Sequence, residues 1–338
     1  MNIILILPLL IGFLITFLMI PSWIKKARAI GLVWDDCNKL NAAKVAGSGG
    51  IAVITGFIAG VFFYIAINTF YFKSTDNTIN IFALTSSILI GFCVGLIDGV
   101  LGWKGGLKRV GLRKRYRLML VLISAIPLIV INAGEAPESF AFLNGSLAWI
   151  YPLILIPLGI LGTTATFNFL AGFNGLEAGQ GIILIGALSL VAYFTGSGWL
   201  ALVGLIMIVC LIAFLFYNFY PAKVFPGDTL TYPVGALIAI MAILGNFEKI
   251  AVFFFIPYII EVFLKMRGGL EKQSFGKARR DGTLDLRYDK IYGLEHLAIF
   301  LLNKAGIRAT EKRVVYSIWI FQIIIVILGF LIFRNSIF

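Results

Sequence analysis

The chain has 338 residues, 60% of them hydrophobic and 13% charged, with a formal net charge of +12 and a mean hydropathy of +0.99. Soluble domains run near half apolar and about a quarter charged, so this composition excludes a soluble globular fold. The positive balance suggests nucleic acid as one partner class, but its distribution along the chain argues against that reading.

A hydrocarbon core takes roughly 20 apolar residues per helix. By that rule the sequence predicts about ten membrane-spanning helices, over 2–22, 50–72, 81–103, 117–134, 148–170, 179–196, 199–217, 230–245, 249–265 and 314–334. The expected fold class is an all-α polytopic membrane protein with 1–338 as a single integral membrane domain. The first segment has no small-residue cleavage site behind it and is expected to stay as a helix. Cys37, Cys93 and Cys210 show neither metal-ligand spacing nor a disulfide pattern.

An even number of crossings puts both termini on one side. The loops of the other side are 23–49, 104–116, 171–178, 218–229 and 266–313. With Arg117 and Lys265 at their edges, they hold every Lys and Arg except Lys73, Lys249 and Arg334. Basic residues stay cytoplasmic, so these loops are expected to be cytoplasmic and both termini extracytoplasmic. The longest, 266–313, is expected to fold over the cytoplasmic face.

Polar residues at these loops are the candidates for chemistry. In 23–49, Asp35 and Asp36 stand beside Asn38 and Lys39, and GSGG (47–50) leads into the second span. Backbone N–H groups ahead of a helix suit a phosphate, while a glycine hinge in a solvated loop accounts for the same residues. Asp98 ends the third span, where a carboxylate has the wrong sign for the helix dipole. An ion pair with Lys104 or Arg117, or a role in catalysis, would explain it. In TFNFLAGFNGLEAGQG (166–181), Asn168, Asn174, Glu177 and Gln180 fall among four glycines. Unpaired polar groups at lipid depth are costly, so these side chains are expected to face a cavity or ligand. In NFYPAKVFPGDTLTYPVGA (218–236), Asp228 holds an N-cap-like position, and its carboxylate with the Asn168 amide suits a hard cation such as Mg²⁺. Phe225 nearby offers a face for a base. FGKARRDGTLDLRYDK (275–290) brings Lys277, Arg279 and Arg280, whose guanidinium forks match phosphate. His296 is the only histidine, which excludes a His-centred triad or metal site. The set points to phosphate handling at a membrane surface.

NFLAGFNGLEAGQG, NFYPAKVFPGDT and the basic loop after the ninth span resemble the polyprenyl-phosphate N-acetylhexosamine-1-phosphate transferases of the glycosyltransferase family 4 type. The likeness is greatest to the archaeal and eukaryotic branch, which moves N-acetylglucosamine 1-phosphate from UDP-N-acetylglucosamine to dolichyl phosphate, the first step of protein N-glycosylation. The muropeptide-transferring branch carries a histidine-rich cytoplasmic motif that this chain lacks. The resemblance implies a Mg²⁺- or Mn²⁺-dependent phosphoglycosyl transferase of the plasma membrane or endoplasmic reticulum, with a cytoplasmic active site and no nucleic-acid partner; a homodimer is compatible with it. It implies Asn168 and Asp228 as metal ligands. Asp98, Arg117 and Asp36 would be catalytic. Lys39, Asn174, Glu177, Phe225, Arg279 and Arg280 would bind substrate, with Asn174 on uracil and Phe225 stacked on it. The chain departs from the family pattern at Gly99, where a second aspartate is usual, at Arg117, where lysine is usual, and at Gly47, where an acid is common. A catalytically degenerate homologue and a transporter of a lipid-linked anion are the alternatives.

Overall fold

The computed structural model describes residues 2–40, 43–104, 112, 114–131 and 149–338. Among them, helices fill each of the predicted apolar segments. These are α1 (Ile6–Ala29), α2 (Gly50–Ala66, continuing as a π turn to Tyr71), α3 (Thr78–Lys104), α4 (Lys114–Ile123), α5 (Ile126–Ile131), α6 (Ile156–Phe167, entered through a π turn from Tyr151), α7 (Leu176–Phe194), α8 (Gly198–Asn218), α9 (Asp228–Leu244), α10 (Glu248–Phe254), α11 (Ile256–Arg267), α12 (Leu294–Lys304), α13 (Glu311–Ile332) and the short α14 (Arg334–Ile337). Among the described residues, six stretches are long and apolar enough to cross a bilayer: Ile3–Ala29, Gly50–Tyr71, Thr78–Trp103, Leu176–Phe194, Gly198–Asn218 and Glu311–Ile332. The protein is therefore an all-α polytopic membrane protein.

Two expected spans are not single helices. The fourth divides into α4 and α5 and the ninth into α10 and α11. In each case a proline, Pro127 or Pro257, is the second residue of the later helix. A proline ring has no N–H and collides with the carbonyl four residues back, so the helix restarts there. Most of the expected 104–116 loop, and 132–148, lie outside the described residues. Two small antiparallel pairs join the helices: β1 (Val33–Asp35) with β2 (Lys44–Ala46), and β3 (Lys277–Ala278) with β4 (Leu284–Asp285).

The bundle is built around α9, which is buried on all sides from Thr229 to Ile243, as expected of a helix apolar all round. By contrast α1 and α13 turn Leu14, Leu18, Ile327 and Leu331 outward. Two close helix approaches at α9 set up the site. A Cβ on Gly95 of α3 would sit 2.2 Å from the Asp228 carbonyl oxygen. A Cβ on Gly235 of α9 would sit 2.7 Å from Thr164 Cα of α6. Glycine at both positions lets the backbones touch. Residues one turn along share a helix face, so Asp98 follows Gly95, and Asn168 follows Thr164, toward the first turn of α9.

Candidate active site

A cavity of about 550 Å³ opens at the end of the bundle where α3 finishes and α9 begins. Its wall includes Asp36, Asp98, Arg117, Asn168, Asn174, Glu177, Phe225 and Asp228, drawn from five separate stretches of the chain. Lys39, Arg279 and Arg280 do not line it.

One end gathers charge. The carboxyl groups of Asp98 and Asp228 lie within hydrogen-bonding reach of one another, and Asn168 supports Asp228. Asn168, at the C-terminus of α6, accepts from the Thr231 hydroxyl through Oδ1 at 2.9 Å, which turns its amino group toward Asp228. Asp98 is 5% exposed. Its Oδ1 accepts from the Leu112 N–H at 2.6 Å, and its Oδ2 stands 3.3 Å from Arg117 Nε. Of the two partners that the sequence offered Asp98, Arg117 is thus an ion-pair partner. Two adjacent carboxylates repel unless a proton or cation intervenes, and a single guanidinium stands between them and balance.

The other end is held by hydrogen bonds. Gly172 and Gly175 take φ of +109° and +88°, which bends 168–175 into a loop that an L side chain would strain. Glu177 Oε1 accepts from the Gly172 N–H at 2.9 Å, and Asn38 Nδ2 donates to Gly172 O at 2.9 Å. Asn174 is fixed twice: its N–H donates to Glu311 Oε1 at 2.8 Å and its Nδ2 donates to Asp36 Oδ2 at 3.1 Å. Asp36 pairs in turn with Lys39, whose ammonium lies 4.7 Å from the Tyr220 ring centre. Asp36 therefore sits with Asn174 and Lys39, and its bonds do not reach the Asp98–Asp228 pair.

The three glycine amides of the GSGG stretch are committed within the chain. The Gly47 N–H donates to Leu32 O, Gly49 N–H to Phe225 O at 2.9 Å, and Gly50 N–H to Pro226 O at 3.1 Å. Phe225 N–H donates back to Ala46 O at 2.7 Å. The last three of these bonds tie the stretch to the 224–227 loop, and so hold Phe225 in the cavity wall and Asp228 at the start of α9.

Arg279 pairs with Asp285 across the β3–β4 hairpin and is largely exposed, while Arg280 is exposed beside it. The same segment does reach the site through other residues. Gln273 and Phe275 line the cavity, and the Gly276 N–H donates to Asn38 Oδ1 at 3.1 Å. Behind Phe275 lies a buried cluster that sequence reasoning missed. Lys265 stands 3.5 Å from Glu261 Oε1 and 2.5 Å from the Ser274 hydroxyl, with Glu295 fully buried alongside. Burial, and then repulsion by Glu261, hold the Glu295 carboxyl well above its ordinary range. Burial lowers the His296 imidazole, which faces the Phe275 carbonyl. Glu261 inside an apolar run was a readable signal. Glu311 was not, because an acid after Thr310 reads as an ordinary helix start.

The two departures at glycine differ in cause. A Cβ on Gly47 would lie 2.4 Å from the Trp34 indole nitrogen, whereas one on Gly99 would meet only Ser48 Oγ at 3.5 Å. Trp34 fills the space at Gly47, and the cavity is open at Gly99.

Residues 81–246 match glycosyl transferase family 4. The chain is 35% identical over 329 residues to a Saccharolobus solfataricus protein whose provisional name is UDP-N-acetylglucosamine–dolichyl-phosphate N-acetylglucosaminephosphotransferase, covering 95% of this chain and 96% of that one. A Sulfolobus acidocaldarius protein with the same provisional name is 31% identical over 327 residues, covering 96% and 94%. The Dictyostelium discoideum enzyme of that name is 30% identical over 288 residues, covering 73% and 68%. With this similarity along nearly its whole length, and with the matched region carrying most of the cavity wall, the chain belongs to glycosyl transferase family 4, the polytopic phosphoglycosyl transferases.

Proposed function

We propose that the protein transfers N-acetylglucosamine 1-phosphate from UDP-N-acetylglucosamine to a polyprenyl phosphate of the dolichyl type, releasing UMP. The observation that carries this reading is the pairing of Asp98 and Asp228 beside Arg117 and Asn168 in a cavity whose wall also holds Asn174 and Phe225. The names of the relatives supply the substrates. The charge distribution supports a cytoplasmic site with extracytoplasmic termini, in a plasma membrane or an endoplasmic reticulum.

The donor set fits a divalent ion. Asp98 and Asp228 offer hard oxygen atoms of the kind Mg²⁺ takes alongside water and phosphate, with Asn168 supporting Asp228 beside them, and the adjacent carboxyl groups call for a cation between them. Such an ion, when bound, neutralises charge on the donor pyrophosphate.

An oxygen of the lipid phosphate attacks the β-phosphorus of the UDP-sugar. The new O–Pβ bond forms as the bond from Pβ to the α–β bridging oxygen breaks, and UMP departs with the electron pair. A phosphate monoester has a second pKa near 6, so the acceptor is largely dianionic at neutral pH and needs no base to deprotonate it. The protein's task is to position and to neutralise. Arg117, held by Asp98, supplies fixed positive charge at the phosphates. Phe225 and Asn174 hold the base, and Phe275 and Gln273 complete the wall.

A second reading, a degenerate homologue that binds without turnover, is favoured by Gly99 alone. One assay separates the two. Purified protein with Mg²⁺, labelled UDP-N-acetylglucosamine and dolichyl phosphate yields a lipid-linked sugar and UMP. Binding of the nucleotide sugar without either product would overturn the enzyme reading.

A further inference from the structure

We infer that Asp36 is a positioning residue that sets the amide orientation of Asn174 and so makes the site selective for uracil over cytosine. This rests on the UDP-sugar reading above.

A carboxylate offers only acceptors, and an amide offers a donor end and an acceptor end that differ little in shape. An asparagine beside a carboxylate must therefore turn its amino group to it. Asn174 does this, with Nδ2 on Asp36 Oδ2 at 3.1 Å. Its main-chain N–H is already committed to Glu311 Oε1 at 2.8 Å. Asn174 is 3% exposed and lines the cavity with Phe225. Among the described residues nothing donates to its Oδ1. The residue thus presents an acceptor, in one orientation, to whatever stacks on Phe225.

Pyrimidines differ at the atom that meets such an acceptor. Uracil N3 carries a hydrogen and donates, whereas cytosine N3 carries a lone pair and accepts. With the ring seated against Phe225, uracil gains a hydrogen bond, and cytosine sets two lone pairs against each other. A free asparagine would escape that penalty by rotating its amide by half a turn. Asp36 forbids the rotation, because a turned amide would set Oδ1 against the carboxylate. Lys39, paired with Asp36 and placed over Tyr220, holds the carboxylate in position. Sites built to hydrogen-bond a substrate group reject analogues that leave buried polar atoms unpaired.

Calorimetry on the purified full-length protein with UDP and CDP tests this, because the two ligands share their phosphates and differ in the base. The wild type binds UDP more tightly than CDP, and Asp36→Asn, whose amide can face Asn174 either way, lowers that ratio by about tenfold or more. The double variant Asp36→Asn/Asn174→Asp reverses the pair: the amide at 36 donates, and the carboxylate at 174 again presents an acceptor. It recovers the preference for UDP, which loss of a merely structural contact would not do, and it carries the test if the single variant fails to fold. An unchanged UDP-to-CDP ratio in Asp36→Asn, or no recovery in the double variant, overturns the role of Asp36 and leaves the UDP-sugar reading standing. A folded wild type that binds neither nucleotide overturns both.

Discussion

The two ends of the cavity are built on opposite principles. At the Asn174 end the donors are tied down and an acceptor is left open: Glu311 takes the main-chain N–H, Asp36 takes the side-chain amino group, and Asn38 ties Gly172 to Gly276. At the Asp98 end like charges are packed together, with one guanidinium against two carboxyl groups. The first end is already folded into the shape of its ligand. The second holds a charge imbalance that a bound cation and substrate phosphates would resolve. Recognition at the one is bought by stability, while chemistry at the other works against it, as functional sites commonly do.

That contrast can be broken first at the acidic end. Asp228→Ala is expected to cut turnover by about 10²–10³-fold, the scale of removing one preorganised electrostatic group, while leaving thermal stability equal or higher, because a repulsive neighbour of Asp98 is gone. Full activity with a lowered melting temperature would reverse the assignment. At the recognition end, Glu311→Gln removes a charged acceptor from the Asn174 N–H. Hydrogen bonds to charged groups are worth about 1.5–3 kcal/mol, so the KM for the nucleotide sugar is expected to rise roughly tenfold, with kcat within about twofold. A fall confined to kcat would show that Glu311 acts at the reaction and not at the base.

The two glycines sharpen the comparison further. Gly47→Glu must displace the Trp34 indole and is expected to cost about 1–3 kcal/mol, as overpacking does, seen as a lower melting temperature. Gly99→Ala meets open cavity and is expected to cost nothing, since alanine is favoured over glycine inside a helix by up to about 1 kcal/mol. Equal losses at the two positions would contradict the packing described here.

The smallest effect concerns the cluster behind Phe275. The carboxyl group of Glu295 is raised well above its ordinary 4.5 by burial and by Glu261. The folded protein therefore keeps a proton that the unfolded chain releases, and stability falls as pH rises from about 4.5 toward the folded value. Glu295→Gln has no such titration. It is expected to melt roughly 2–4 °C above the wild type at neutral pH, with the gap closing below about pH 4.5. A gap that widens in acid would have the wrong sign.

Much of this was legible from residue patterning. The apolar segments place the helices, and Asp98, Asn168, Asn174, Glu177, Phe225 and Asp228 converge as the loop chemistry suggested. The breaks at Pro127 and Pro257 were readable but were overridden by the length of the apolar runs. The fate of GSGG was not readable, since a glycine's N–H serves a phosphate or a neighbouring carbonyl equally well until the 224–227 loop is in place. Arg279 and Arg280 were assigned by charge and grouping, yet the hairpin register that sets Arg279 on Asp285 depends on a fold of 277–285 that no periodicity announces. Asp36 and Glu311 reach Asn174 from positions 138 and 137 residues away. Pairings at such separations are set by tertiary packing and leave no local trace.

The most direct test of the central claim follows the oxygen atoms. The protein is given a polyprenyl phosphate, Mg²⁺ and UDP-N-acetylglucosamine carrying ¹⁸O in the bridge between its two phosphorus atoms, and the products are read by mass spectrometry. Attack at the β-phosphorus by the lipid phosphate predicts that the heavy oxygen leaves entirely in UMP and that the lipid-linked sugar diphosphate is unlabelled. Heavy oxygen in the lipid product, or absence of UMP release when lipid phosphate is present, would contradict the account.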